Sequence, residues 1–113
     1  MCTNQELQII TQTVVTSMLD ELADKIYKVL LYGSYARGDF TSESDIDIMI
    51  ILDCTREEVS YYRKKITRLA SRIGLEHDIM VSILLRDKES FYNQQEVLPF
   101  YKNIAKEGVE LYG

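Results

Sequence analysis

The sequence contains few of the residues that build disulfide scaffolds, linkers and membrane spans. Its 113 residues include no tryptophan, one proline, one histidine, two cysteines and five glycines. Two cysteines are too few for a disulfide framework or a thiolate zinc site, so Cys2 and Cys54 are predicted to be free thiols of a cytoplasmic protein. The longest apolar run, residues 48–52, is far shorter than the roughly 20 residues that cross a bilayer. These absences exclude a disulfide-rich secreted scaffold and a membrane span.

The residues that are present are typical of one soluble globular domain spanning residues 1–113. Hydrophobic residues make up 46% of the chain and charged residues 27%. Eighteen acidic residues against 13 basic ones give a net charge of −5, which disfavours a protein whose main task is to bind a nucleic-acid backbone. The basic stretch Arg63–Lys65 is therefore interpreted as the solvated face of a helix.

The spacing of apolar residues predicts helices alternating with strands. The expected elements are a helix over residues 4–23, strands over 25–32 and 45–52, a helix over 55–74, a strand over 75–85 and short helical pieces over 89–105. Capping-box pairs, Thr3 with Glu6 and Thr55 with Glu58, mark the two helix starts, and Gly74 is expected to end the second helix. The predicted fold class is α/β (α+β), a small mixed β-sheet flanked by helices.

The segment that joins the first two predicted strands carries three features suited to phosphate chemistry. Gly33-Ser34 directly follows a strand, where backbone N–H groups and a hydroxyl can contact a phosphate. Asp45 and Asp47 lie two apart on a strand, so their carboxylates project from one face and can bind a hard cation. Divalent cations would offset their mutual repulsion beside a polyphosphate. Arg37, in the loop between, can meet phosphate oxygens or an acidic partner.

Asp78 is the one acidic residue expected inside the apolar core of the third strand. A lone carboxylate is expensive to bury among apolar neighbours, so Asp78 is predicted to lie at the edge of the same site as a third ligand. The adjacent His77 would point to the opposite face of a strand and is interpreted as a structural or surface residue.

Each of these features has an ordinary explanation when it is taken alone. Gly33-Ser34 is typical of a simple turn, Asp45 and Asp47 of a solvated strand start, Asp78 of a salt-bridge partner and Arg37 of an exposed loop. Their coincidence at strand ends around one cleft favours a shared site.

The segment also resembles a known family. Gly33-Ser34, ten intervening residues and Asp45-Ile46-Asp47 are similar to the signature of the polymerase-β-type nucleotidyltransferase superfamily, in particular its minimal, single-domain bacterial members. Ala36-Arg37-Gly38 and Ser44 add to the resemblance, which covers most of the chain. It implies a polymerase-β-like nucleotidyltransferase fold and a Mg²⁺-dependent transfer of a nucleoside monophosphate, AMP from ATP, to a hydroxyl.

The resemblance also implies roles for the individual residues. Gly33-Ser34 would hold the triphosphate, with Arg37 as a further nucleotide-binding residue. Asp45 and Asp47 would ligate two Mg²⁺ ions. Asp78 would be the third catalytic and metal-binding carboxylate, near the acceptor hydroxyl.

The acceptor is expected on another chain, because 113 residues leave no room for a second domain. Small members of the family often pair with a helical HEPN-type protein, and in some toxin–antitoxin pairs the transferase adds AMP to a tyrosine of the toxin. The resemblance therefore implies an antitoxin. Transfer to a small-molecule hydroxyl, a non-enzymatic antitoxin that acts by binding and a sugar transferase remain alternatives, and association of two copies of the chain also stays open.

Overall fold

Helices and strands alternate along the chain. The computed structural model describes residues 4–41, 43–95 and 97–113. In chain order the elements are α1 (Asn4–Leu22), a 3-10 turn (Ala23–Lys25), β1 (Ile26–Tyr32), α2 (Ser34–Arg37), β2 (Ile46–Leu52), α3 (Arg56–His77), β3 (Val81–Asp87), α4 (Lys88–Gln95), α5 (Pro99–Glu107) and β4 (Val109–Tyr112).

The four strands form one mixed sheet in the order β3-β2-β1-β4. Strand β1 pairs antiparallel with β2 and with β4, whereas β2 pairs parallel with β3 through the crossover helix α3. The central β2 is almost wholly apolar and buried, as expected of a strand covered on both faces. The mixed sheet with flanking helices confirms the predicted fold class.

Helices cover both faces of this sheet, and each face has its own hydrophobic cluster. Alternate side chains of β2 pack into the two clusters. Ile48 and Ile50 pack into the core that α1 and α3 share. Met49 and Ile51 pack into the second cluster with α4 and α5. Since strand side chains alternate between faces, Asp47 belongs to the row of Met49 and Ile51 and lies on the α4 and α5 face of the sheet.

Helix α3 continues beyond Gly74 to His77, so the predicted helix end and the predicted strand start at residue 75 were wrong. A Cβ atom at Gly74 would lie 2.6 Å from the carbonyl oxygen of Ile79. The chain reverses at Asp78, which has a left-handed φ of 53°, and the Ile79 N–H donates to the Gly74 carbonyl over 3.0 Å. Gly74 thus permits a close return of the chain and does not stop the helix, and β3 begins only at Val81.

Strand β4 was not predicted from the sequence. Its four residues are mostly exposed, and they gain their strand hydrogen bonds from β1 at one edge of the sheet. Four residues are too few to predict a strand from their own pattern, and this segment becomes a strand only by pairing with β1, which is distant in the sequence.

The second capping box is present as predicted. The Glu58 N–H donates to Thr55 Oγ1 over 3.2 Å, and the Thr55 N–H donates to Glu58 Oε1 over 3.1 Å. The other box cannot be compared, because Thr3 lies outside the described residues, as does Cys2. Cys54 is a free, half-buried thiol. No helix in the described part of the chain is long and apolar enough to cross a membrane.

Candidate active site

The turn at Gly33 contacts the carboxylate of Asp47. Gly33 follows the last residue of β1 with φ 76° and ψ −157°, a conformation that is almost restricted to glycine. A Cβ atom at this position would collide with Asp47 Oδ2. The absence of a side chain therefore lets the turn and the carboxylate lie directly against each other.

Helix α2 is a single turn that fixes the residues after Gly33. The N–H groups of Ala36 and Arg37 both donate to the Gly33 carbonyl over 3.1 Å, and the Gly38 N–H donates to the Ser34 carbonyl over 2.9 Å. Gly38 ends the turn in the left-handed conformation with φ 84°. These bonds place Ser34 beside the end of β1, where the sequence predicted a turn.

Asp45 and Asp47 stand at the start of β2. Asp47 is half-buried and in register with Tyr32 of β1 and with Ser82 of β3, whereas Asp45 is exposed just before the strand. Burial raises the pKa of the Asp47 carboxyl, the nearby charge of Asp45 raises it further and Arg37 opposes the shift. Two neighbouring carboxylates of this kind favour a bound cation.

The pair fits the way that proteins hold Mg²⁺. This ion is usually bound through one or two carboxylates, with water and substrate phosphates completing its shell. In residues 4–41, 43–95 and 97–113, no three His, Cys, Asp or Glu side chains are grouped closely enough to hold a metal ion. Asp45 and Asp47 could therefore hold Mg²⁺ together with phosphate oxygens, and not as part of a larger protein cage.

Among the described residues, Asp78 does not form a group of three metal-binding side chains with Asp45 and Asp47. Asp78 is exposed at the C-terminal cap of α3 and lines the groove between α3 and β3, so its predicted place inside a strand was wrong. His77 is the last residue of α3 and not a strand residue. On β3 the residue in register with Asp47 is Ser82, and Met80, just before the strand, accepts a hydrogen bond from the Ile46 N–H over 3.0 Å.

Arg37 was predicted in a loop but is the last residue of the single-turn helix α2, where it pairs with two acidic side chains. Its Nε donates to Asp39 Oδ2 over 3.2 Å, and its Nη1 lies 3.9 Å from Glu107 Oε2 of α5. The second contact links the loop after Gly33 to the C-terminal part of the chain.

A recess lies between the Gly33 turn and α5, and the sequence did not reveal it. Its volume is about 200 Å³, and its lining residues are Tyr32, Gly33, Arg37, Phe100, Asn103, Ile104 and Glu107. The rings of Phe100 and Tyr32 meet edge to face, with centroids 5.9 Å apart. The sequence did hold one sign of an exposed aromatic ring here. Phe100 and Tyr101 are consecutive, and one face of a helix cannot bury two consecutive residues equally, so one of the two rings had to be more exposed.

Comparisons with known proteins identify the family of this chain. Residues 15–112 match the family model described as a nucleotidyltransferase domain. Two proteins of Methanocaldococcus jannaschii, each named "Putative protein adenylyltransferase", are similar to the chain. One is 33% identical over 98 residues, which cover 87% of this chain and 90% of the relative. The other is 36% identical over 91 residues, which cover 80% of this chain and 83% of the relative.

Two solved structures share the fold at low sequence identity. One, described as a toxin-antitoxin with AMP-PNP, has a TM-score of 0.55 and 22% identity and covers 90% of this chain and 73% of its own. The other, described as the toxin-antitoxin MntA-HepT, has a TM-score of 0.51 and 19% identity. The match covers 94% of this chain and 72% of that structure's chain. The family match over residues 15–112 and the identity to two nearly full-length relatives show that this chain belongs to the nucleotidyltransferase domain family of enzymes.

Proposed function

We propose that this chain uses Mg²⁺ and ATP to transfer AMP to a hydroxyl group of a partner protein. The observation that carries the proposal is the contact between Gly33 and Asp47, which sets a turn suited to phosphate against the carboxylate pair. The names of the two similar archaeal proteins support a protein as the acceptor.

The residues around the turn divide the binding of the nucleotide between them. The backbone of Gly33 and the hydroxyl of Ser34 contact the triphosphate, and Asp45 and Asp47 hold Mg²⁺. When bound, Mg²⁺ supplies charge neutralisation of the triphosphate and a lower pKa for the acceptor hydroxyl. Arg37 exchanges its exposed partner Asp39 for phosphate oxygens and keeps its contact with Glu107. A guanidinium binds phosphate oxygens more rigidly than an ammonium group does.

In the transfer step the acceptor oxygen attacks the α-phosphorus. A new oxygen–phosphorus bond forms, the bond from the α-phosphorus to the bridging oxygen breaks, and pyrophosphate leaves with the electron pair. Because Ser82, and not an acid, lies in register with Asp47, the hydroxyl proton passes to solvent or to a base of the partner.

The partner docks over the end of the sheet that carries the two aspartates. Helices α4 and α5 cover the Met49 and Ile51 part of this face, and Asp45 remains exposed beyond them. A docked chain would exclude water from the reacting groups, as a second domain does in larger enzymes. Structural neighbours that are toxin-antitoxin complexes support a helical HEPN-type toxin as the acceptor and an antitoxin role for this chain.

Intact-mass spectrometry of the partner tests the transfer. The protein is incubated with Mg²⁺, ATP and the product of the neighbouring gene, and the partner is expected to become heavier by one or more AMP groups. Asp47→Asn should slow the transfer by about a thousandfold or more, because it removes a metal ligand worth several kcal/mol in the transition state. Asp53→Asn is the matched control, since Asp53 is an exposed acid just beyond the opposite end of β2.

A binding-only antitoxin is the second candidate, and it is favoured by the presence of Ser82 where a third acid would complete the site. It predicts an unchanged partner mass together with full inhibition of the partner. Neutralisation that survives Asp47→Asn would support this second candidate and would contradict the transfer.

A further inference from the structure

The recess between the Gly33 turn and α5 is next to the proposed phosphate site but has no role in it. We infer that this recess binds the base of the nucleotide, with Phe100 as its stacking surface and Asn103 as the residue that selects adenine. The inference rests on the proposed function, because it assigns the remaining part of the same nucleotide.

The recess and the Asp47 carboxylate lie on one face of the sheet. Tyr32, which lines the recess, is in register with Asp47 on the neighbouring strand, so the two side chains project from the same face. Helix α5 packs on that face through Tyr101 and Ile104. Gly33 lines the recess and also contacts Asp47, so a phosphate chain at the turn would lead its nucleoside directly into the recess.

The size of the recess suits one portion of a ligand. Its volume of about 200 Å³ is below the roughly 300–1,000 Å³ of pockets that enclose whole drug-sized ligands. A planar base fits this expectation, since the triphosphate would lie outside the recess at the turn.

Phe100 offers an apolar ring that the fold does not bury. Its side chain is 49% exposed, and its contacts with Tyr32 and Tyr101 are both edge-type, with interplanar angles of 86° and 73°. No aromatic ring of the described residues is stacked parallel to it. Stacking on such a ring raises the affinity roughly five- to hundredfold, and it does so for any base, because every base has an aromatic face.

Asn103 supplies the hydrogen bonds that would distinguish one base from another. Its amide offers one acceptor and two donors, the pattern that matches the amino group and a ring nitrogen of adenine. Guanine presents donors that a carboxylate would accept, but Glu107 lies 3.9 Å from Arg37 and shares its charge with that guanidinium. The polar groups of the recess therefore favour adenine.

Calorimetry with three ligands tests this assignment on the full chain. Mg·ATP, Mg·GTP and Mg·tripolyphosphate are titrated into the wild type, Phe100→Ala, Phe100→Trp, Asn103→Ala and the control Tyr61→Ala. Tyr61 is an 81% exposed aromatic residue of α3, on the other side of the sheet. Thermal unfolding of each variant confirms that it is folded.

The expected result separates the base from the phosphates. Phe100→Ala should weaken Mg·ATP about tenfold or more, leave Mg·tripolyphosphate unchanged and be rescued by Phe100→Trp, which keeps an aromatic face. Asn103→Ala should lower the preference for ATP over GTP about tenfold. Tyr61→Ala should leave the affinities for all three ligands unchanged.

Two outcomes would overturn the inference, and they are distinct from failure of the proposed function. Unchanged Mg·ATP binding by folded Phe100→Ala and Asn103→Ala would show that the base lies elsewhere. Loss of transfer to the partner without loss of ATP affinity would make Phe100 a protein contact. If neither Mg·ATP nor Mg·tripolyphosphate binds the wild type, the proposed function itself fails.

Discussion

Gly33 is the residue on which the geometry of the site depends most directly. Two independent constraints apply to it, a positive φ that side chains rarely adopt and the carboxylate of Asp47 where a Cβ atom would be. Gly38 has only the first constraint, since its φ is 84° and no atom lies within 4 Å of a Cβ built there. The two glycines therefore form a natural matched pair.

Gly33→Ala is expected to lower the free energy of unfolding by about 1–3 kcal/mol and to weaken Mg·ATP binding at least about tenfold. The added methyl group strains the backbone and displaces the Asp47 carboxylate. Gly38→Ala should cost only about 1 kcal/mol, from the backbone alone, and should bind Mg·ATP as the wild type does. Urea unfolding and calorimetry on both variants check this, and equal loss of binding in the two would contradict it.

At the scale of elements, the turn from α3 into β3 is set by tertiary contact more than by helix propensity. Alanine normally stabilises a helix by about 1 kcal/mol relative to glycine. Gly74 is an exception, because its Cα faces the carbonyl oxygen of Ile79.

Gly74→Ala is expected to destabilise the protein by about 1–3 kcal/mol, the usual cost of forcing an extra methyl group into a packed position. Ser71→Ala, at an exposed site of the same helix, should change stability by no more than about 0.5 kcal/mol. Urea denaturation gives both values. A stabilised Gly74→Ala protein would show that the turn can relax at no cost.

The start of α3 has a pH-dependent component. The capping bond from the Thr55 backbone, followed by the hydrogen bond and charge of Lys25, lowers the pKa of Glu58 below its ordinary value of 4.5. A carboxyl with a lowered pKa in the folded state contributes stability at neutral pH, and this contribution is lost as the pH falls through that lowered pKa.

Glu58→Gln should therefore be less stable than the wild type at pH 7, and the difference should shrink steadily once the pH falls below 4.5. Urea unfolding between pH 7 and pH 3 follows the two curves. Glu57→Gln provides the control, because Glu57 lies in the same helical turn but outside the capping box. Its curve of stability against pH should run parallel to that of the wild type. A constant difference across this range would mean that the Glu58 charge is not involved.

The parts of the fold that depend on local sequence were predictable. Strands β1 and β2 and the turn at Gly33 follow from neighbouring residues. The end of α3 was not predictable, since Gly74 has its role only when Ile79 returns against it. Strand β4 and the recess likewise depend on segments far apart in the sequence, which apolar spacing does not record.

At the scale of the whole molecule, the proposed nucleotide site joins segments that lie far apart in the sequence. Gly33 and the aspartates belong to the first half, and Phe100, Asn103 and Glu107 belong to α5. A ligand that contacts both should hold them together, since any molecule that binds only the folded state stabilises it.

Mg·ATP at about one hundred times its dissociation constant is therefore expected to add about 2.7 kcal/mol of stability and to raise Tm by about 10 °C or more. Scanning calorimetry with ATP, Mg²⁺ and EDTA measures the shift. It should require both ATP and Mg²⁺ and should be lost in Asp47→Asn. A shift of the same size in EDTA would contradict the metal-dependent binding of the nucleotide.

The pairing of β4 with β1 has a consequence for the order of folding. Val29 pairs with Tyr112, which is far from it in the sequence, and also with Ile50, which is much closer to it in the sequence. Contacts of short sequence separation close first, because long loops cost more entropy to close. We expect the Gly33 turn and the two aspartates to assemble early, and the recess beside α5 to form only when the C-terminal segment docks. With the roles proposed for them, a refolding chain would acquire affinity for phosphate before it could distinguish one base from another.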